Sequence, residues 1–166
     1  GSGTSCPATC ATEADCASGW ACAGGTCQPK QANGTACTLG SDCQSGHCAD
    51  GVCCDTACTG LCEACTSAGK GFGQDGACGK VGNGLDPRSD CHPSLPCGQD
   101  GECNGAGACR LVVAGEPCGA TQCNGTQVKG QKCNGVGACT SDSVECAPFA
   151  CQAGACKSTC ATAADC

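Results

Sequence analysis

Cys62-Glu-Ala-Cys65 is the only Cys-x-x-Cys pair in the chain. That spacing serves a zinc knuckle or a thiol–disulfide exchange centre. A knuckle needs a second pair, and none follows. An exchange centre sits beside a βαβ pattern, which the surrounding sequence lacks. Cys-x-Cys, expected of thiolate clusters, and Cys-x-x-Cys-His, needed to attach haem, are both absent. Cys53 and Cys54 are neighbours; a bond between them would strain the peptide that joins them, so each is expected to pair elsewhere. His47 and His92 are the only histidines. A hydrolytic triad sets a histidine between a nucleophile and an orienting carboxylate. His47 lies inside a cysteine run and His92 between Cys91 and Pro93, and neither belongs to a triad motif. The 15 carboxylates are scattered, with no Asp-x-Asp-x-Asp-Gly loop; calcium held by Asp and backbone oxygens is the one metal alternative left open. The reading is therefore no enzyme: no catalytic residue, no cofactor and no metal ligand.

The chemistry these residues can do is cross-linking. Cysteine supplies 27 of 166 residues, above the ~8–10 % that marks a disulfide scaffold. Other large apolar residues are scarce: one Trp, two Phe, no Tyr, no Met. Ordering a backbone costs roughly 1–2 kcal/mol per residue, and burying a large apolar side chain returns only about 1.5–3 kcal/mol. Each disulfide adds typically ~2–4 kcal/mol, chiefly by restricting the unfolded chain. Cross-links must then replace the core, and they require an oxidising compartment. The expected location is extracellular or at the cell surface, with the segment a mature or internal part of an exported protein. No signal peptide and no apolar run long enough to span a membrane is present. Net charge is −7 with only eight Lys and Arg, which argues against nucleic acid as a partner.

The cysteines repeat on three scales. CPATCATEADC, from Cys6 to Cys16, returns as CKSTCATAADC, from Cys156 to Cys166, at an offset of 150. Such self-similarity marks a tandem array, and the chain reads as one period with the first residues of the next in 156–166. Within the period, Cys10, Cys16, Cys22 and Cys27 (unit 6–27) are followed by Cys37, Cys43, Cys48 and Cys53 (unit 37–53). Both units carry Asp before the second cysteine, Asp15 and Asp42, and Ser-Gly after it. Further on, CNGAGAC opens a unit 103–123 and CNGVGAC a unit 133–151. The middle, 54–97, is less regular.

Four cysteines allow three pairings. The interleaved one is expected here: Cys10–Cys22 with Cys16–Cys27, and Cys37–Cys48 with Cys43–Cys53. An odd total leaves cysteines over at the repeat junction. Cys160 and Cys166 are expected among them, with either Cys156 or Cys6 as the third, their partners lying in an adjoining copy.

Asn-Gly and Asp-Gly pairs recur along the chain, and such pairs favour tight hairpin turns. No stretch keeps a 3.6-residue apolar period. A short helical turn is expected at Thr12–Asp15 with Thr12 as cap, another near Thr56 to Cys65, and a strand at Arg110–Val113. The fold class is small and disulfide-rich: an elongated string of short β-ribbon and loop units, with little helix and no single hydrophobic core. Asn33-Gly-Thr35 and Asn124-Gly-Thr126 match the glycosylation sequon, but are also Asn-Gly turns.

The run Cys37 to Cys65, C-TLGSD-C-QSGH-C-ADGV-CC-DTA-C-TGL-C-EA-C, resembles a cysteine-rich repeat abundant in exported proteins of myxobacteria and related bacteria. CNGAGAC, CNGVGAC and the closing CATAADC fit the same family. The four-cysteine units are also similar to the N-terminal cysteine-rich domain of Dickkopf proteins. The bacterial resemblance implies secretion or surface display and tandem copies, and it carries no catalytic residues. The leading expectation is an extracellular structural repeat whose partners are copies of itself. The rivals are an adhesin or receptor-like binding module, meeting a cell surface or a polysaccharide through Trp20, Phe72 or Phe149, and a non-catalytic appendage of a secreted enzyme.

Overall fold

The computed structural model describes residues 9–94 and 96–165. Among these, twelve disulfides join twenty-four cysteines. They sort into six quartets, and every quartet bonds its first cysteine to its third and its second to its fourth. The first is Cys10–Cys22 with Cys16–Cys27, and the next Cys37–Cys48 with Cys43–Cys53. Cys54–Cys65 goes with Cys58–Cys78, and Cys62–Cys103 with Cys91–Cys109. Cys97–Cys133 goes with Cys118–Cys139, and Cys123–Cys151 with Cys146–Cys156.

The chain divides into two compact units, Gly1–Asp90 with Cys103–Ala108, and Cys91–Glu102 with Cys109–Cys166. In the first, β1 (Trp20–Ala23) pairs with β2 (Thr26–Pro29), setting Cys22 opposite Cys27. Likewise β3 (Cys48–Ala49) and β4 (Val52–Cys53) set Cys48 opposite Cys53. Then β5 (Glu63–Ala64) pairs with β6 (Gly79–Lys80), with Cys65 just after the one and Cys78 just before the other. A single helical turn, α1 (Ser67–Lys70), fills the connection. Beyond it come β7 (Gln99–Cys103) and β8 (Cys109–Leu111), which form a two-stranded sheet. The second unit also holds a three-stranded sheet of β9 (Gln122–Asn124), β10 (Gln127–Cys133) and β11 (Cys139–Glu145), with β10 central and Cys133 opposite Cys139. Finally β12 (Cys151–Gln152) pairs with β13 (Ala155–Cys156), setting Cys151 opposite Cys156.

One local design recurs in all six quartets. The third and fourth cysteines stand on, or next to, the two strands of an antiparallel ribbon, and the first two reach it from earlier in the chain. A two-stranded ribbon alone is marginal in water. Two disulfides entering across its strands supply what a hydrophobic face would otherwise provide.

The turns are set by the sequence between the last two cysteines. In the β1–β2, β3–β4 and β12–β13 hairpins both central residues have positive φ: Gly24 and Gly25, Asp50 and Gly51, Ala153 and Gly154. That is the type I′ requirement, whose twist suits a two-residue hairpin. The CNGAGAC and CNGVGAC loops close differently. Asn104 Oδ1 accepts from the N–H of Ala106 and of Ala108, at 2.8 and 3.2 Å. Asn134 Oδ1 does the same for Val136 and Ala138, at 2.9 and 3.0 Å.

The buried apolar set consists of half-cystines, three alanines and Val81. No leucine or aromatic ring belongs to it among the described residues. Sulfur is the core.

Several expectations need correction. The segment from Thr56 to Cys65 is not helical, because Cys58 and Cys62 hold φ of 50° and 53°, outside the helical region. The helical turn lies just beyond, where Thr66 Oγ1 accepts from the Gly69 N–H at 3.1 Å and Gly71 ends it with φ 81°. The turn at Glu13–Asp15 is 3-10 rather than α-helical; Thr12 stands at its N-cap as expected, and Asp15 Oδ2 accepts from the Thr12 N–H. The strand expected at Arg110–Val113 is Cys109–Leu111, since the Val112 N–H turns to the Gly98 carbonyl at 2.9 Å. The segments 103–123 and 133–151 are not closed by their own cysteines. Cys103 and Cys109 bond backward to Cys62 and Cys91, and Cys118 and Cys123 bond forward.

Candidate functional site

The structure separates the pairs that could have done redox chemistry. Cys62 bonds Cys103 and Cys65 bonds Cys54, so the Cys-x-x-Cys pair is not a disulfide. Cys53 bonds Cys43 rather than its neighbour Cys54. Cys10, Cys16 and Cys27 bring their sulfurs within 4.8 Å of one another, as do Cys37, Cys43 and Cys53. All six are disulfide sulfurs, and the thiolate, not the disulfide, is the metal ligand. The eight cysteines singled out in the first two units are joined as Cys10–Cys22, Cys16–Cys27, Cys37–Cys48 and Cys43–Cys53.

The junction cysteines behave differently from expectation. Cys156 pairs back to Cys146, one of the two alternatives. Cys160 is disulfide-bonded, so it does not stand over at the end of this chain. An oxidised chain holds its own thiols at high effective concentration, and closure within one molecule competes well against a second copy. Cys6 and Cys166 lie outside the described residues.

Carboxylates do the work between the disulfides, and their partners are mostly backbone N–H groups. Asp15 Oδ2 accepts from Ala11 and Thr12 at 2.9 and 2.8 Å. Asp42 Oδ2 accepts from Thr38 and Leu39 at 3.0 and 2.8 Å. Asp165 Oδ2 accepts from Ala161 and Thr162 at 3.0 and 2.7 Å. Each closes a 3-10 turn ending one residue before a cysteine. Hydrogen bonds to the charged form hold the carboxyl below its ordinary range: Thr12 foremost for Asp15, Leu39 foremost for Asp42. Asp165 falls to about 2, first through the Lys157 ammonium and then through the Thr162 N–H.

Other acids staple longer loops. Asp90 accepts from the Cys62 N–H at 2.9 Å and Asp55 from the Cys78 N–H at 2.8 Å. Asp50 accepts from the Cys65 N–H at 2.6 Å and faces Arg88, whose guanidinium also donates to the Cys58 carbonyl at 2.6 Å. Arg110 bridges Asp100 and Glu102. Asp75 is lowered first by the Ser67 N–H, and Glu63 first by Lys80. Acids committed in this way are not free to serve as general bases. Neither His47 nor the exposed His92 is hydrogen-bonded through its imidazole to a carboxylate among the described residues.

Two features escaped the sequence reading. Lys70 is buried, at 4 % exposure, and its Nζ donates to the carbonyls of Gln74 and Ala77 at 2.8 and 2.5 Å. Nothing in its local sequence signals this. The Asp165 turn is different, since CATAADC repeats CATEADC and carries the same aspartate.

An open cleft of about 270 Å³ lies between Ala21, Pro29, Gln31, Thr38 and Asp42. Its only carboxylate is Asp42, already spent on its turn. Of the aromatic anchors, Trp20 and Phe72 are exposed and Phe149 is half-buried. No helix among the described residues is long and apolar enough to cross a membrane. No family model matches the chain, and no curated protein or solved structure matches it significantly. What the geometry defines is a class: a disulfide-rich protein of short antiparallel ribbons, suited to an oxidising compartment.

Proposed function

We propose that the chain is part of an extracellular structural protein, one period of a disulfide-braced spacer, stalk or filament. The observation that carries this reading is the recurrence of one turn at both ends of the period. Asp165 and Asp15, separated by the 150-residue offset, make equivalent hydrogen bonds in equivalent 3-10 turns. A second period built on the same plan would continue from that turn. The commitment of the carboxylates to loop closure, with sulfur in place of a core, suits a part whose task is shape rather than turnover. Electron microscopy of the native material tests the reading. Linear arrays with a regular axial repeat are expected; isolated particles without a repeat would overturn it.

A binding module is the second reading, favoured by the exposure of Trp20 and Phe72. It predicts retention on cell-surface polysaccharide that Trp20→Ala or Phe72→Ala abolishes. Retention unchanged in both variants removes it.

A further inference from the structure

From Cys54 onward the quartets overlap by one rule: each begins between the second and third cysteines of the one before. Cys62 lies between Cys58 and Cys65, Cys97 between Cys91 and Cys103, and Cys123 between Cys118 and Cys133. The spans closed by disulfides are therefore 54–78, 62–109, 97–139 and 123–156, each opening before the last has ended. Every peptide bond from Cys54 to Cys156 is bridged by at least one disulfide. The first two quartets do not overlap in this way, and none of the twelve bonds bridges the stretch between Cys27 and Cys37.

We propose that the stretch from Cys54 to Cys156 is a cleavage-tolerant, load-bearing tether, whose continuity is carried by its disulfide ladder rather than by its main chain. One cut by a protease anywhere in it leaves a single covalent molecule. Tension follows the shortest covalent route. That route crosses from Cys54 to Cys65, steps back to Cys62, crosses to Cys103 and steps back to Cys97. It then crosses to Cys133, runs forward to Cys146 and crosses to Cys156. It uses the first-to-third bond of three quartets and the second-to-fourth bond of the last. Its taut length is about 100 Å, against about 350 Å for the reduced chain at ~3.3–3.6 Å per residue. Resistance to cutting follows from connectivity alone; its meaning as load-bearing rests on the spacer reading above.

The exposed turn at Ala114 and Gly115 allows a decisive test, because of the twelve bonds described only Cys97–Cys133 bridges it. A recognition sequence for a site-specific protease is inserted there. Cys6→Ser, Cys160→Ser and Cys166→Ser are included throughout, so that no junction cysteine adds a bridge. After cleavage the protein should run as one band without reductant and as two with it. Adding Cys118→Ser with Cys139→Ser, which removes the other bond of the same quartet, should leave the single band. Adding Cys97→Ser with Cys133→Ser should give two bands even without reductant. Two bands from the cleaved parent, or one from the last variant, would overturn the ladder, whatever electron microscopy shows of arrays. Where the ladder holds, pulling the protein between positions flanking Cys54 and Cys156 reads the load. A taut length about three- to fourfold shorter than in the reduced protein supports the tether; equal lengths overturn it.

Discussion

Asp165 stands in its turn as Asp15 stands in its own: Oδ2 of each accepts from the backbone N–H groups three and four residues earlier. The threonine hydroxyl three residues back adds a third contact in both, from Thr162 at 3.1 Å and from Thr12 at 3.2 Å. Asp42 makes the two backbone contacts with Leu39 in place of threonine. One carboxylate position thus precedes the second cysteine of each of the first two quartets and recurs one residue before Cys166.

The first prediction concerns acid. The Asp165 carboxyl is ordinarily near 3.8 and falls to about 2 in the folded chain. A depressed carboxyl contributes stability above the unfolded value, and that contribution is lost as pH falls through the folded one. The turn at Ala161 to Asp165 should hold at pH 5 and loosen between about pH 4 and pH 2. Asp15 and Asp42 shift in the same direction, so their turns should loosen on the same side of neutrality. Carbon-detected titration of the three carboxyls measures this. Lys157→Ala should raise the Asp165 inflection and leave Asp15 unmoved.

Gly76 should not tolerate a side chain. A Cβ there would stand 2.2 Å from the backbone nitrogen of Gly34 and 2.5 Å from the carbonyl carbon of Asn33, and its φ is +90°. Overpacking against backbone costs typically ~1–3 kcal/mol, before the penalty of the left-handed region is added. Gly76→Ala should lower oxidative refolding yield sharply, while Gly46→Ala, with open space around its Cβ, should lower it far less. Equal yields would count against the close approach of the two loops.

Lys70 should matter more than its charge suggests. Lys70→Met keeps an apolar stem but leaves the carbonyls of Gln74 and Ala77 without their donor. A hydrogen bond from a charged donor contributes about 1.5–3 kcal/mol. Hydrogen exchange across residues 74–80 should quicken by at least about tenfold, the equivalent of ~1.4 kcal/mol, with little change in the β1–β2 ribbon.

Reduction should abolish the fold. With half-cystines, alanine and one valine as its buried apolar set, the reduced chain has too little to set against its entropy. Near-ultraviolet circular dichroism and protease protection should both disappear on full reduction at neutral pH. A reduced chain that keeps its protection would contradict a sulfur core.

The parts of this fold legible in the sequence are the ones decided locally. In the first two units the bonded cysteines are 10 to 12 residues apart, and a hairpin turn between the last two leaves few arrangements. The Asn104 and Asn134 loops announce themselves by repetition. Cys62–Cys103 and Cys97–Cys133 span 41 and 36 residues, and no local pattern marks their ends as partners. The shared first-to-third rule is hidden there because the quartets overlap, so neighbours in sequence belong to different pairs. The Arg88 and Lys70 contacts were illegible for a related reason: each is fixed by carbonyls and acids that only the closed loops bring near.

The buried sulfur has a consequence for how such a chain diverges. Val136 is 74 % exposed and Leu39 62 %, and neither is asked to fill an interior. Most residues between the cysteines can therefore drift without loss of shape. Inserting one residue between Cys22 and Cys27, or Cys48 and Cys53, would move a cysteine off its cross-strand partner and turn it to the other face of the ribbon. Selection then acts on intervals rather than on identities. Descendants of one such chain would keep its cysteine rhythm long after the words between the beats had ceased to match.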